Sequence, residues 1–511
     1  MLLIRNIKLN INENEDILKE KIIKRLHTKD TNFSYTIHKI SIDGRDKLSK
    51  VYQVLVKINN EFIYLNHKDV VKYQKEELNF PIVKTEDKPI IIGYGPSGMF
   101  ACIKLLDSGI KSIVFEKGKR INDRVKDVEN FINNGILNED SNIQYGEGGA
   151  GAFSDAKLTT RIKNKYIDYI LDTLIRFGAD RKIKYEAHPH IGSDRIKQVI
   201  NNITNFLIDK GIEFHFNEEV KDFIVENNTL KKIITDKGEY ESNSFVLAIG
   251  HSSYSTIKKL YERNVYMEPK DISLGFRVEH KQDLIDQNQY GNIDNKNLGP
   301  SEYFLAYKDE RNVYSFCMCP GGYVIPSTSI KNHVVTNGMS NAARDSGYAN
   351  SAILIQVNKE EFDKDTLSGF DYIYNIEKKA YDVSNSYKAL SQNIKDYING
   401  TTNDLILDST YSLKTYVYDF NKLFTEKQNE IFKKALKHFG TKINGFIENG
   451  IMVGPETRTT SPVRIKRDEN CQSINTKCLY LSGEGAGYGG GIMSCALDGI
   501  KIADFIIKKY L

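Results

Sequence analysis

Tryptophan is absent from the 511 residues, proline occurs ten times and cysteine six. The cysteines, at 102, 317, 319, 471, 478 and 495, are too scattered for a disulfide framework, so a reducing cytoplasm is the expected setting. No uninterrupted apolar run reaches membrane-spanning length. The start, Met1 to Asn10, is broken by Arg5 and Lys8 and lacks a small-residue cleavage site, so no targeting segment is expected. A charge surplus is lacking too: 71 basic and 67 acidic residues leave +4. Without a concentrated basic block, neither a nucleic-acid nor a membrane partner is expected. A small anionic ligand held by backbone dipoles stays open. Around Cys317 and Cys319 no Cys or His pair completes a tetrahedral set, so no metal is expected.

What remains is an ordinary globular composition, long enough for two or three packed units. Leu2 to Leu9 alternates as a strand, and Glu15 to Leu26 has helical spacing. Ser34 to Ile42 and Val51 to Ile58 alternate again, so residues 1–85 read as a small α+β domain of βαββ pattern. After Pro89, Ile90-Ile91-Ile92 reads as a buried parallel strand. A helix over 97–107 and a strand at 112–115 complete a βαβ unit. Further on, 193–210 reads as a helix, and 211–216, 223–236 and 244–249 as strands. The stretch 272–449 mixes short strands, polar turns and predicted helices at 358–367, 387–399 and 426–438.

Gly93-Tyr94-Gly95-Pro96-Ser97-Gly98 is a G-x-G-x-x-G turn between that strand and helix, and Glu116 ends the next strand 18 residues beyond Gly98. Such a turn admits a pyrophosphate against the helix N-terminus, with the acid on a ribose hydroxyl. By itself it fits FAD or NAD. A second segment, Gly483-Glu484-Gly485-Ala486-Gly487-Tyr488-Gly489-Gly490-Gly491-Ile492, follows the apolar strand 479–481 and enters a final helix. A long ligand bound extended needs such a return. Glu484 suits the ribityl hydroxyls, and a helix start at Gly490, Gly491 and Ile492 suits negative charge on a reduced flavin. The strand 245–249 ending at Gly250 is of the kind common in FAD-binding folds. The expected cofactor is therefore non-covalent FAD, with NAD(P)H at most a transient electron donor.

Several segments resemble one family: residues 146–155 (GEGGAGAFSD) with 157–161 (KLTTR), 316–322 (FCMCPGG), 456–459 (ETRT) and 461–465 (SPVRI). The chain is similar to the glutathione-reductase-type FAD superfamily, and within it to uncharacterised bacterial NAD(P)/FAD-dependent dehydrogenases with a dedicated FAD-dependent-protein C-terminal domain. The resemblance implies FAD and a redox reaction without naming a substrate. It departs at Ala156, where the family has glycine, and at Ser253-Tyr254-Ser255-Thr256, where the family often has Ala-Arg-Asp-Thr.

The expected fold is α/β. It has a Rossmann-like FAD-binding domain in two discontinuous pieces, 86–271 and 450–511, and an inserted α+β substrate domain at 272–449. In the 146–155 loop and beyond it, Gly148, Gly149, Gly151, Ser154, Asp155 and Lys157 are expected against the cofactor. Lys117, Arg124 and Val220 complete the expected cofactor contacts. Arg277 and Arg458 are candidates for a substrate anion, with Cys319 and Pro320 beside them. Alternation along a strand would point Cys317 and Cys319 the same way, and they read better as thiols of a pocket wall than as a disulfide. His188, His190 and His251 offer acid–base chemistry, with no catalytic residue singled out. The function read from these features is hydride transfer between flavin and a small organic molecule. A flavin monooxygenase and a non-enzymatic flavin-bound sensor, with 1–85 as an interaction module, share the same cofactor grip.

Overall fold

The structure, a computed structural model, describes residues 1–44, 48–291, 298–362 and 364–511. Its centre is the isoleucine strand Ile90–Ile92, at most 4% exposed. It lies in the middle of a five-stranded parallel sheet ordered Leu479–Leu481, Phe245–Leu247, Ile90–Ile92, Ile113–Glu116 and Glu213–Phe216. A strand buried on both faces has no polar side to show, which is why this one reads as an unbroken apolar run. Because Leu479–Leu481 runs parallel beside Phe245–Leu247, the turns at Gly93, Gly250 and Gly483 all leave the same carboxyl edge of the sheet. In open parallel sheets that edge is where ligands bind.

Two helices follow these turns, Pro96–Asp107 and Gly491–Tyr510. They cross at Gly499, where a Cβ would lie 2.0 Å from the Ser97 carbonyl oxygen. Their buried faces join Ile91, Val114, Val246 and Ile203 in one core.

The single strand expected over 223–236 is a hairpin, Val220–Glu226 against Thr229–Thr235. Asn227 and Asn228 turn it with φ of 46° and 58°. Paired left-handed residues are what a tight hairpin turn of matching twist requires, and asparagine tolerates them.

The middle of the chain forms a seven-stranded sheet ordered Ala306–Lys308, Asn312–Cys319, Tyr348–Val357, Ile272–Lys281, Ile451–Glu456, Ala389–Asn393 and Thr415–Val417. It has its own core around Phe276, Phe432 and Val453. Ile451–Glu456 pairs with both Ile272–Lys281 and Ala389–Asn393. The chain therefore returns to the nucleotide-binding sheet after residue 456, not at 450. Two helix expectations also change here. The segment 358–367 holds only a 3-10 turn, Lys359–Glu361, residue 363 lying outside the described ones, and the helix is Ser368–Ser384. The segment 387–399 opens with the buried strand Ala389–Asn393, and only Ile394–Asn399 is helical. In the second segment sheet pairing overrides weak local periodicity. The helix near 426–438 is Glu426–Gly440, opened by a Thr425–Gln428 capping box.

The N-terminal unit is a four-stranded sheet ordered Ser34–Asp43, Ser49–Lys57, Leu2–Asn10 and Val70–Lys72, packed on the helix Leu18–Leu26. Val70–Lys72 is a strand beyond the βαββ pattern. The Ile40 amide donates to the Tyr185 carbonyl at 2.6 Å, tying the unit to the rest.

Candidate active site

A cleft opens at the carboxyl edge of the parallel sheet and runs to the seven-stranded sheet. At one end lie Glu116, Lys117, Glu219 and Val220. The glycine turn Gly93–Ser97, Gly250 and Glu484 line its middle. At the other end are Gly149, Gly151, Ser154, Asp155 and Lys157, the helix start at Gly491 and Ile492, and Phe316, Cys317 and Asn337 of the inserted sheet.

Glu116 is 6% exposed and organises the first end. Its Oε2 accepts from the Tyr94 amide at 2.9 Å, and its Oε1 accepts from the amides of Gly118 and Gly146, both at 2.9 Å. A carboxylate oxygen can accept twice, so Oε2 keeps capacity for a hydroxyl from the cleft. Lys117 ion-pairs with Asp140 at 3.2 Å and Glu219 at 3.3 Å.

Within the glycine turn the positions divide by role. A Cβ on Gly98 would lie 2.1 Å from the Gly93 carbonyl oxygen, so this glycine seats the helix on the strand and stays off the cleft wall. A Cβ on Gly95 would meet no atom closer than the Gly149 Cα at 3.7 Å, an ordinary contact. The fold alone does not demand glycine there, whereas a ligand pressed against the backbone would. The first turn of Pro96–Asp107 and that of Gly491–Tyr510 both face the cleft and hold no acidic residue. This donor set fits FAD: one carboxylate for a ribose, two helix starts for a pyrophosphate and a reduced ring, and Glu484 between them. The Ser97 and Ser482 hydroxyls bond to each other and join the two halves. His251 Nδ1 lies 3.3 Å from Glu484 Oε2.

At the far end the strand Asn312–Cys319 bulges. Phe316 pairs with Ala352 and Cys319 with Asn350, so three steps on one strand oppose two on its neighbour. Cys317 takes the left-handed conformation, φ 42°. The expected simple alternation therefore does not hold across 316–319. Cys317 and Cys319 still both line the cleft, while Met318 enters the core. Cys317 is exposed where it lines the cleft, and desolvation by the surrounding wall, with Cys319 beside it, shifts the thiol upward. Such a thiol stays protonated at neutral pH and is a poor nucleophile.

Other site residues expected from the sequence lie elsewhere. Arg124 is fully buried behind the wall. It donates to the carbonyls of Asn142, Ile143, Gly146 and Glu147 at 2.7 to 3.2 Å, and so braces the 142–147 loop rather than the cleft. Gly148 faces Ile200, where a Cβ would come within 2.5 Å. Gly490 and Pro320 are not among the lining residues. Arg277 is fully buried off the cleft, its Nε 2.6 Å from Glu456 Oε2 and its Nη2 3.0 Å from Oε1. Arg458 does line the cleft, but its Nε and Nη2 clasp both oxygens of Glu377 at 2.9 and 2.7 Å. The Arg277 guanidinium is closed off from a substrate carboxylate, and the charge of Arg458 is already balanced by Glu377. His188 and His190 are also absent from the lining, which includes His251.

Sequence reasoning passed over Glu456, Asn337, Phe316 and the ion-pair partners Glu302, Arg344 and Glu377. Glu456 and Phe316 sat inside quoted motifs. The others carried no local signal, because their roles come from pairing across distant strands. Among the described residues no group of three or more His, Cys, Asp or Glu side chains is placed to hold a metal, and no helix is long and apolar enough to cross a membrane.

Residues 271–459 match a family described as "FAD-dependent protein, C-terminal domain-like". An uncharacterized protein of Clostridium beijerinckii is 39% identical over 526 residues, covering 99% of this chain and 98% of that one. The chain belongs to this family of FAD-dependent proteins. FAD is its cofactor. A D-amino acid dehydrogenase of Helicobacter pylori is 32% identical over 81 residues, 16% of this chain and 20% of that enzyme. Solved structures that the chain matches include a glycine oxidase from Bacillus cereus, at 12% identity and a TM-score of 0.31, covering 83% of this chain and 96% of that one. An L-proline dehydrogenase from P. horikoshii has 12% identity and a TM-score of 0.34, covering 84% of this chain and 94% of that one.

Proposed function

We propose that this FAD-dependent protein is an oxidoreductase of the dehydrogenase or reductase type, working on a small organic molecule at the inserted-sheet end of the cleft. The observation that carries the reading is the continuity of that cleft. It leads from a ribose-suited carboxylate past two helix starts to a wall contributed by a second sheet. FAD, when bound, supplies two-electron hydride transfer. The chain's own residues do the rest. Glu116, Gly95 and the start of Pro96–Asp107 hold the adenosine and pyrophosphate end. Glu484, steadied by His251, meets the ribityl hydroxyls. The start of Gly491–Tyr510 places partial positive charge beside the reacting ring. The seven-stranded sheet supplies Phe316, Cys317 and Asn337 to the wall that a bound ring would face. A nicotinamide would serve only as a transient donor, since one glycine turn, Gly93–Gly98, leads on to a strand ending in a ribose-suited acid, Glu116.

The test is anaerobic reduction of the FAD-loaded protein by a panel of organic reductants and nicotinamides. Bleaching of the flavin band, reversed by an added organic acceptor, is expected. Hydroxylation of an organic compound coupled to oxygen uptake would instead mark a monooxygenase. A flavin that no reductant in the panel bleaches would favour a sensor.

A further inference from the structure

The reacting end of the cleft is charge-closed. Asp155 is held by Arg344 at 2.6 Å, and Arg344 also reaches Glu302 at 3.2 Å. Lys157 lies 3.3 Å from Glu302 and 3.7 Å from Asp155, and its ammonium also donates to the Met318 carbonyl. Glu456 is paired with Arg277, and Arg458 with Glu377, each through both carboxylate oxygens. Four carboxylates (Asp155, Glu302, Glu377, Glu456) thus face four cations (Lys157, Arg277, Arg344, Arg458), and the sum is zero. Among the described residues, the only cations on this part of the wall are Lys157 and Arg458, and the charge of each is already balanced by a carboxylate.

We infer that the part of the substrate entering this end is uncharged and planar, a neutral carbonyl or quinone-like compound rather than an amino or hydroxy acid. The inference rests on the oxidoreductase reading above. A carboxylate would meet cations whose charge is already balanced by Glu377, Glu302 and Asp155, with no surplus positive charge to hold it, while lying near the carboxylates of Asp155 and Glu456. A flat neutral molecule faces no such cost. The Phe316 ring is 40% exposed and turned to the cleft, a surface for stacking. Asn337 Oδ1 is taken by Arg277 Nη2 at 3.1 Å and by the Gly338 amide at 2.7 Å. That leaves the Asn337 amide NH2 as a donor for a substrate carbonyl.

The FAD-loaded protein is titrated with benzamide and with benzoate, two planar probes differing in charge, and the visible flavin spectrum is read. Benzamide is expected to perturb the spectrum with a Kd at least about tenfold below that of benzoate. Glu377→Gln, which releases Arg458, is expected to tighten benzoate by about tenfold and leave benzamide unchanged. If that variant does not fold, Glu302→Gln releases Lys157 and carries the same expectation. Benzoate binding as tightly as benzamide to the unmodified protein overturns the inference. So does a spectrum that neither probe moves, or a release variant with unchanged benzoate affinity. Failure of the unmodified protein to hold FAD is a separate result, which removes the oxidoreductase reading and this inference with it.

Discussion

At the residue scale, the ionisable groups of this protein are arranged more for closure than for reactivity. His280 shows the cost. It is 1% exposed, with its Nε2 hydrogen-bonded to the Phe446 carbonyl at 2.8 Å, and burial pulls its pKa down to about 4. The folded state holds this imidazole neutral, while the unfolded chain protonates it near its ordinary 6.5. The unfolded state therefore binds more protons between those values. The contribution is intact above pH 6.5 and is lost as pH falls toward about 4, amounting to about 3 kcal/mol. Thermal unfolding followed from pH 7 to pH 4 is expected to show a smaller drop in midpoint for His280→Gln than for the unmodified protein, after each is referred to its own value at pH 7.

Cleft-lining positions set by near neighbours in sequence were legible without coordinates. Glu116 followed from its distance to the glycine turn, and Glu484 from its place after a strand. Arg124, Arg277 and Arg458 were not, because a sequence shows an arginine without its partner. Arg277 is satisfied by Glu456, 179 positions away, and no local pattern announces such a pair.

At the scale of elements, the start of Gly491–Tyr510 is the feature with the clearest electrostatic consequence. Its first turn is free of acidic residues and faces the cleft. Ile492→Asp would set a negative charge where the dipole now favours a reduced, anionic ring. The expected effect is a fall in the flavin midpoint potential of roughly 10–40 mV, from about 0.5–2 kcal/mol on a two-electron couple, measured by equilibration against a reference dye. An unchanged potential would place the ring elsewhere. The short apolar strands and this helix were legible because their burial is continuous. The bulge at Cys317, the hairpin at Asn227 and the strand Ala389–Asn393 were not. The bulge and the strand are fixed by pairing with distant segments, the hairpin turns on two left-handed asparagines inside an unbroken alternation, and period alone does not register an extra residue.

At the scale of the molecule, two sheets with separate cores must hold one cleft between them. The Arg344–Asp155 pair is a main tie, joining the loop after Phe153 to the inserted unit, and both side chains are at least nine-tenths buried. Removing one partner of such a pair leaves a buried charge. Arg344→Ala is thus expected to cost about 3–5 kcal/mol of stability and to weaken FAD retention together with it, read by denaturant unfolding with and without added FAD. The α/β class and the return of the chain's end to the first sheet were visible in the two glycine segments. The chain's late departure from the inserted sheet, only after Ile451–Glu456, was not, since that strand's partners Ile272–Lys281 and Ala389–Asn393 lie far from it in sequence.

The central claim is that FAD lies in the cleft against the Gly93–Gly98 turn, and Gly95 tests it most directly, since a Cβ there would meet the fold only in ordinary contact. Unmodified protein and Gly95→Val are each reconstituted with FAD, passed through gel filtration, and compared for bound flavin absorbance and thermal midpoint. The expected result is near-stoichiometric flavin in the unmodified protein and little in Gly95→Val, with the midpoints of the two apo forms alike. An unmodified protein that stays colourless, or a Gly95→Val variant that holds FAD equally well, would contradict the claim.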